Sequence, residues 1–194
     1  MTRKRVAILI SGRGSNMAAL IEAARAPDYP AEIVGVLSNR AAAPGLATAA
    51  ANGIATASLA QSKFLSRDMF EDTMTQILES WEVDYVCLAG FMRILGEDFV
   101  NHWLGRMINI HPSLLPAYKG LHTHERALAD GVTEHGCTVH FVTPGLDEGP
   151  TILQARIPVA AGDTPETLAE RLLVEEHRIY PEALRLLASH QVKL

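Results

Sequence analysis

The sequence predicts an α/β fold, a doubly wound and mostly parallel twisted sheet with an antiparallel extension near the C-terminus. Three observations carry this. Apolar runs at residues 6–10, 33–37 and 85–89, the last within a strand over 83–89, read as strands buried on both faces. Stretches of helical periodicity separate them, the alternation that a parallel sheet requires. After residue 120 the period changes to two: Cys137, Val139 and Phe141 alternate with Thr138, His140 and Val142.

In chain order, strand 6–10 leads through a Gly-rich turn into a helix over 17–25, which must stop before Pro27. Strand 33–37 precedes an alanine-rich helix over 45–51 that ends near Gly53, and 54–57 is a short strand. Residues 66–81 form a longer amphipathic helix, with Met69, Phe70, Met74, Ile77 and Leu78 at helical spacing. Strands 83–89 and 107–110 complete the parallel part, and 137–142 and 152–159 pair beyond it. Thr164 caps the last helix, with Pro165 at its first position and Glu166 in its first turn. Pro181 should kink or divide that helix. No repeat or linker interrupts the pattern, so a single domain over residues 1–194 is expected.

The bulk properties agree. A chain of 194 residues, 48% apolar and 20% charged, suits one hydrophobic core. A net charge of -5 argues against a protein that grips nucleic acid along a basic face. Cys87 and Cys137 lie in apolar runs and read as small buried hydrophobes, although one bridge between them stays open. The basic start MTRKR is followed by only five apolar residues before Ser11, too few for a secretory signal. No stretch approaches a membrane span, and a cytoplasmic protein is expected.

The turn Ser11-Gly12-Arg13-Gly14-Ser15-Asn16 places glycines and short polar side chains at a helix N-terminus, a cradle for phosphate. A tight turn with a capping serine fits equally well. Met17 stands where a dinucleotide motif has its third glycine, no acidic residue follows the second strand, and no Gly-Lys-Ser/Thr is present.

In Met107-Ile108-Asn109-Ile110-His111-Pro112, two polar side chains share one face at the carboxyl end of what reads as a central parallel strand. Asn109 can donate to a developing oxyanion and His111 can move protons near neutral pH. Asp147, in the turn Pro144-Gly145-Leu146-Asp147-Glu148-Gly149-Pro150, would orient His111 and favour its protonated form if the two were close. Spacing alone does not bring them together.

These segments, with Leu88-Ala89-Gly90-Phe91-Met92-Arg93-Ile94-Leu95, Asn109 to Pro116 and Gly120-Leu121-His122-Thr123-His124, closely resemble the phosphoribosylglycinamide formyltransferases, a branch of the folate-dependent formyltransferase family. The resemblance runs from residue 5 nearly to the end of the last helix. It implies a Rossmann-like formyltransferase fold and transfer of the formyl group of 10-formyltetrahydrofolate to the amine of glycinamide ribonucleotide. Asn109, His111 and Asp147 would then form the reacting centre. Gly14, Ser15 and Asn16 would hold the ribonucleotide phosphate. Met92, Arg93, Ile94 and Leu95, with Arg67 and Asn109, would contact the folate. Glu176 would contact the substrate and hold its amine.

Glu176 also stands out physically, as a carboxylate on the helical stripe of Ala169, Leu172, Leu173, Tyr180 and Ala183. A structural pair with an arginine or a stripe-edge residue reaching water would explain it too. Arg13 stands where an uncharged residue is common in the family, and Pro144 and Glu148 alter the loop around Asp147. The segments 114–121 and 144–149 read as lids. His122 and His124 are a spaced pair rather than a ligand cluster, so no metal is expected. The expected partners are the two small molecules, with neither nucleic acid nor membrane, acting on a monomer or homodimer. Hydrolysis of formyl-folate, formylation of methionyl-tRNA and a non-catalytic binding module are the competing readings.

Overall fold

The computed structural model describes residues 2–194. Seven strands form one sheet in the order β3-β2-β1-β4-β5-β6-β7. The strands are β1 (Lys4–Ile10), β2 (Ala31–Ser38), β3 (Ala55–Ser58), β4 (Tyr85–Leu88), β5 (Met107–His111), β6 (Glu134–Phe141) and β7 (Thr151–Pro158). The first five run parallel, and β6 and β7 add antiparallel to β5 and to each other, as the change of period predicts. β5 lies inside the sheet as the last parallel strand, and both kinds of ladder meet on it.

The helices are α1 (Ser15–Ala23), α2 (Pro44–Ala51), α3 (Arg67–Ser80), α4 (Glu97–His102), α5 (Thr123–Ala129) and α6 (Pro165–Ala188). On one face of the sheet, Ile8, Cys87, Ile108 and Val139 pack against Met17 and Leu20 of α1 and Leu172, Tyr180 and Leu184 of α6. On the other, Leu9, Val86 and Met107 pack against Phe70, Met74 and Leu78 of α3 and Phe99 of α4. The alternating run of β1 supplies both cores, which is why it is apolar throughout.

Ser66 caps α3, its hydroxyl accepting the Met69 N–H at 3.2 Å, and Thr164 with Thr167 forms a capping box on α6. Pro181 does not divide α6, which runs through it as one helix. Tyr180, Ala183, Leu184 and Leu187 are buried on the sheet, and the Tyr180 hydroxyl donates to the Leu88 carbonyl at 2.8 Å. That packing offsets the one backbone bond a proline removes. Among the described residues no helix is long and apolar enough to cross a membrane.

Candidate active site

The chain reverses its direction of sheet growth between β1 and β4, and the crevice above their carboxyl ends is where open α/β sheets bind ligands. Two segments meet there, the turn after β1 and the irregular stretch after β4. Ser11 ties them: its N–H donates to the Gly90 carbonyl at 3.1 Å, and its hydroxyl accepts the Met92 N–H at 2.8 Å while donating to Asn39 Oδ1 at 2.6 Å. The sequence placed Ser11 in the phosphate turn without showing this bracing role.

Gly14 precedes α1 at φ 72°, a left-handed conformation that favours glycine, and no side chain caps the helix. The capping-serine alternative is thereby excluded, because Ser15 is the first helical residue and its side chain is exposed. Asn16 is buried, donating from Nδ2 to Glu176 Oε2 at 2.7 Å, and its own Oδ1 has no partner. Glu176 is 8% exposed, and burial pushes its pKa up although the Asn16 bond pulls the other way. Its partner is thus an amide, not the arginine or the water that sequence left open. A buried carboxylate beside an unpaired amide oxygen, at a helix N-terminus, suits a ligand bearing both cationic or hydroxyl donors and an anionic group.

After β4, Phe91 and Leu95 pack into the core while Met92 and Ile94 are 58% and 76% exposed. Arg67, at the start of α3, lies against Gly96 at the end of this stretch. Exposed apolar walls beside a strand end fit a flat aromatic ring system.

The reacting groups lie on the adjoining strand. Asn109 and His111 share a face of β5, and the β5–β6 register sets His140 opposite Asn109 and Thr138 opposite His111. Asn109 Nδ2 is 3.3 Å from His140 Nε2, and the other His140 nitrogen donates to the Phe141 carbonyl at 2.8 Å. Burial lowers the His140 pKa, so a neutral ring accepting from Asn109 completes the pair. Asp147 reaches in from the β6–β7 loop at φ 50°, with Oδ2 3.5 Å from His111 Nδ1 and Oδ1 3.8 Å from His140 Nε2. The Gly120 N–H donates to the same carboxylate at 2.9 Å. His111 Nε2 meets the Tyr118 carbonyl at 2.9 Å, and Lys119 pairs with Glu148 at 2.9 Å, so the 118–120 and 147–148 segments hold each other.

The structure thus brings together Asn109, His111 and Asp147, and adds His140. Its place in the β6 alternation was visible in sequence, but only the register puts it beside Asn109. Gly14, Ser15, Asn16 and Glu176 form a second group. Arg67 and the 92–95 stretch form a third. Arg13 and Arg93 are exposed, His122 makes a loose contact with Glu125 at 3.7 Å, and His124 instead meets His135.

A doubly wound sheet with polar groups gathered at the crevice of its switch point defines an α/β enzyme scaffold. The formyl transferase family model matches residues 4–184, and the chain belongs to that family. It is 47% identical over 189 residues to phosphoribosylglycinamide formyltransferase of Escherichia coli, covering 97% of this chain and 89% of that protein. It is 51% identical to the trifunctional purine biosynthetic protein adenosine-3 of Bos taurus, but there it spans only 19% of the relative's length. The crystal structure of phosphoribosylglycinamide formyltransferase from Brucella melitensis superposes with a TM-score of 0.93 at 54% identity, covering 96% of each chain.

Proposed function

We propose that this chain, acting as one formyltransferase domain in the cytoplasm, passes the formyl group of 10-formyltetrahydrofolate to the primary amine of glycinamide ribonucleotide in purine synthesis. Both partners in this reading are small molecules, and it involves no metal, nucleic acid or membrane. The observation that carries it is the convergence of Asn109, His111 and Asp147 on one strand end, between a phosphate-type turn and an exposed apolar stretch.

Gly14, Ser15 and the N-terminus of α1 hold the phosphate, and Glu176 with Asn16 receives the donors of the glycinamide portion. Met92, Arg93, Ile94 and Leu95, with Arg67, wall the slot for the folate, which supplies an activated formyl group. As the amine attacks, Asn109 and His111 donate to the formyl oxygen that becomes negative. Asp147 holds the His111 ring in place and compensates the charge on it. The proton lost by the amine passes to the departing folate nitrogen, directly or through water. Both ring nitrogens of His111 already face acceptors, Tyr118 O and Asp147. One contact must therefore open before the ring serves the oxyanion, which gives the two linked loops a role in the cycle.

The test is turnover of 10-formyldideazafolate with and without glycinamide ribonucleotide. Acceptor-dependent release of dideazafolate supports the transfer; release without acceptor would replace it with hydrolysis.

A further inference from the structure

Glu71 lies outside the reacting centre, on the second turn of α3, with its side chain only 6% exposed. Its Oε1 accepts the Gly96 N–H at 2.8 Å and stands 3.9 Å from Arg67 Nε. A Cβ on Gly96 would sit 2.6 Å from Glu71 Oε2 and 3.1 Å from Arg67 Nε, so both side chains press on the same glycine. Gly96 ends the 91–95 stretch and is the N-cap of α4. One carboxylate thus joins the start of α3 to the far end of the exposed apolar segment.

A buried carboxylate is costly unless its charge is met. Burial pushes the Glu71 pKa up, while the Gly96 N–H and then Arg67 pull it down. The groove beside it is lined by Asp68, Asp72 and Asp98, which offer no compensation, and by His102, whose Nε2 is 3.2 Å from Glu79. The compensating groups are therefore those of the slot itself. A role confined to holding α3 on the sheet would not need an acceptor aimed at Gly96, since Phe70, Met74 and Leu78 already provide that packing.

We infer that Glu71 is a positioning residue for the co-substrate slot, anchoring the Gly96 end of the 91–95 stretch and keeping Arg67 at a fixed spacing from it. The inference rests on the reading of that stretch as the formyl-folate slot. Glu71→Ala removes the acceptor, whereas Glu71→Gln keeps an oxygen for the Gly96 N–H. In the intact chain without ligand, amide exchange across residues 92–96 should quicken about tenfold in Glu71→Ala and return most of the way in Glu71→Gln. With substrates, Glu71→Ala should raise KM for 10-formyldideazafolate about tenfold, leaving kcat and the ribonucleotide KM within about twofold.

If Glu71→Ala does not fold, Gly96→Ala, which forces the same groups apart, should give the same signature. Unchanged exchange in the folded variant, a Glu71→Gln no better than Glu71→Ala, or equal shifts in both KM values would overturn the inference. Failure of the wild type to use the dideazafolate would sink the functional reading instead. The ligand-free exchange would still decide whether Glu71 holds the segment.

Discussion

Asn109 and His140 face each other across the antiparallel β5–β6 ladder, with the Asn109 amide nitrogen 3.3 Å from His140 Nε2. The imidazole fixes which way the amide points, because its other nitrogen is committed to the Phe141 carbonyl. Replacing His140 with Phe leaves Asn109 free to rotate and removes one neighbour of Asp147. We expect kcat to fall roughly tenfold to a hundredfold with little change in either KM, the pattern of a lost transition-state contact. A change confined to KM would contradict this role.

His111 Nδ1 and Asp147 Oδ2 lie 3.5 Å apart, so in the proposed reaction their losses should not add. His111→Ala and Asp147→Asn should each reduce kcat by about 100- to 1000-fold, and the double variant should be only slightly worse than either single one. Steady-state rates for the set of four proteins check this.

On the proposed reading, Glu176 binds substrate at a cost in folding stability. Its buried carboxylate is met by the Asn16 amide at 2.7 Å rather than by a cation. Glu176→Gln should therefore raise thermal stability, by about 1 kcal/mol, while raising the ribonucleotide KM roughly tenfold. Calorimetry and substrate titration of the same preparation would reveal a variant that loses both, which this account does not allow.

His124 Nδ1 lies 3.1 Å from His135 Nε2, with His135 buried and His124 half-buried. Burial, then the charges of His124 and His111, push the His135 pKa down to about 4 from 6.5. Between those values the unfolded chain binds more protons than the folded one, so stability is full above about 6.5 and declines as pH falls towards 4. The loss from this group approaches about 3 kcal/mol. Urea unfolding across that window should show a flatter acid limb for His135→Gln, and an unchanged limb would remove the pair from the explanation.

Cys87 and Cys137 are both buried, and burial pushes each thiol up to about 12. Neither should react with a disulfide reagent at neutral pH until the chain unfolds, when both should titrate.

Much of this was legible in the chain. Buried parallel strands announce themselves as apolar runs, and the Thr164 cap is local chemistry that tertiary structure left in place. The shared face of Asn109 and His111 follows from strand pleating alone. The rest depends on long-range register. His140 joins the centre because β6 pairs antiparallel with β5 in one alignment, which alternation cannot specify. Helices α4 and α5, of 6 and 7 residues, are too short for a periodic signal. Of the two outcomes expected at Pro181, division of α6 does not occur, because the packing of the helix on the sheet outweighs the lost backbone bond.

The most direct test of the central claim is formyl transfer from 10-formyldideazafolate to glycinamide ribonucleotide, wild type beside Asn109→Ala and His111→Ala. Turnover should require the ribonucleotide and fall by about two to three orders of magnitude in each variant while both substrates still bind. Wild-type-like rates in the variants, or turnover indifferent to the acceptor, would contradict that claim.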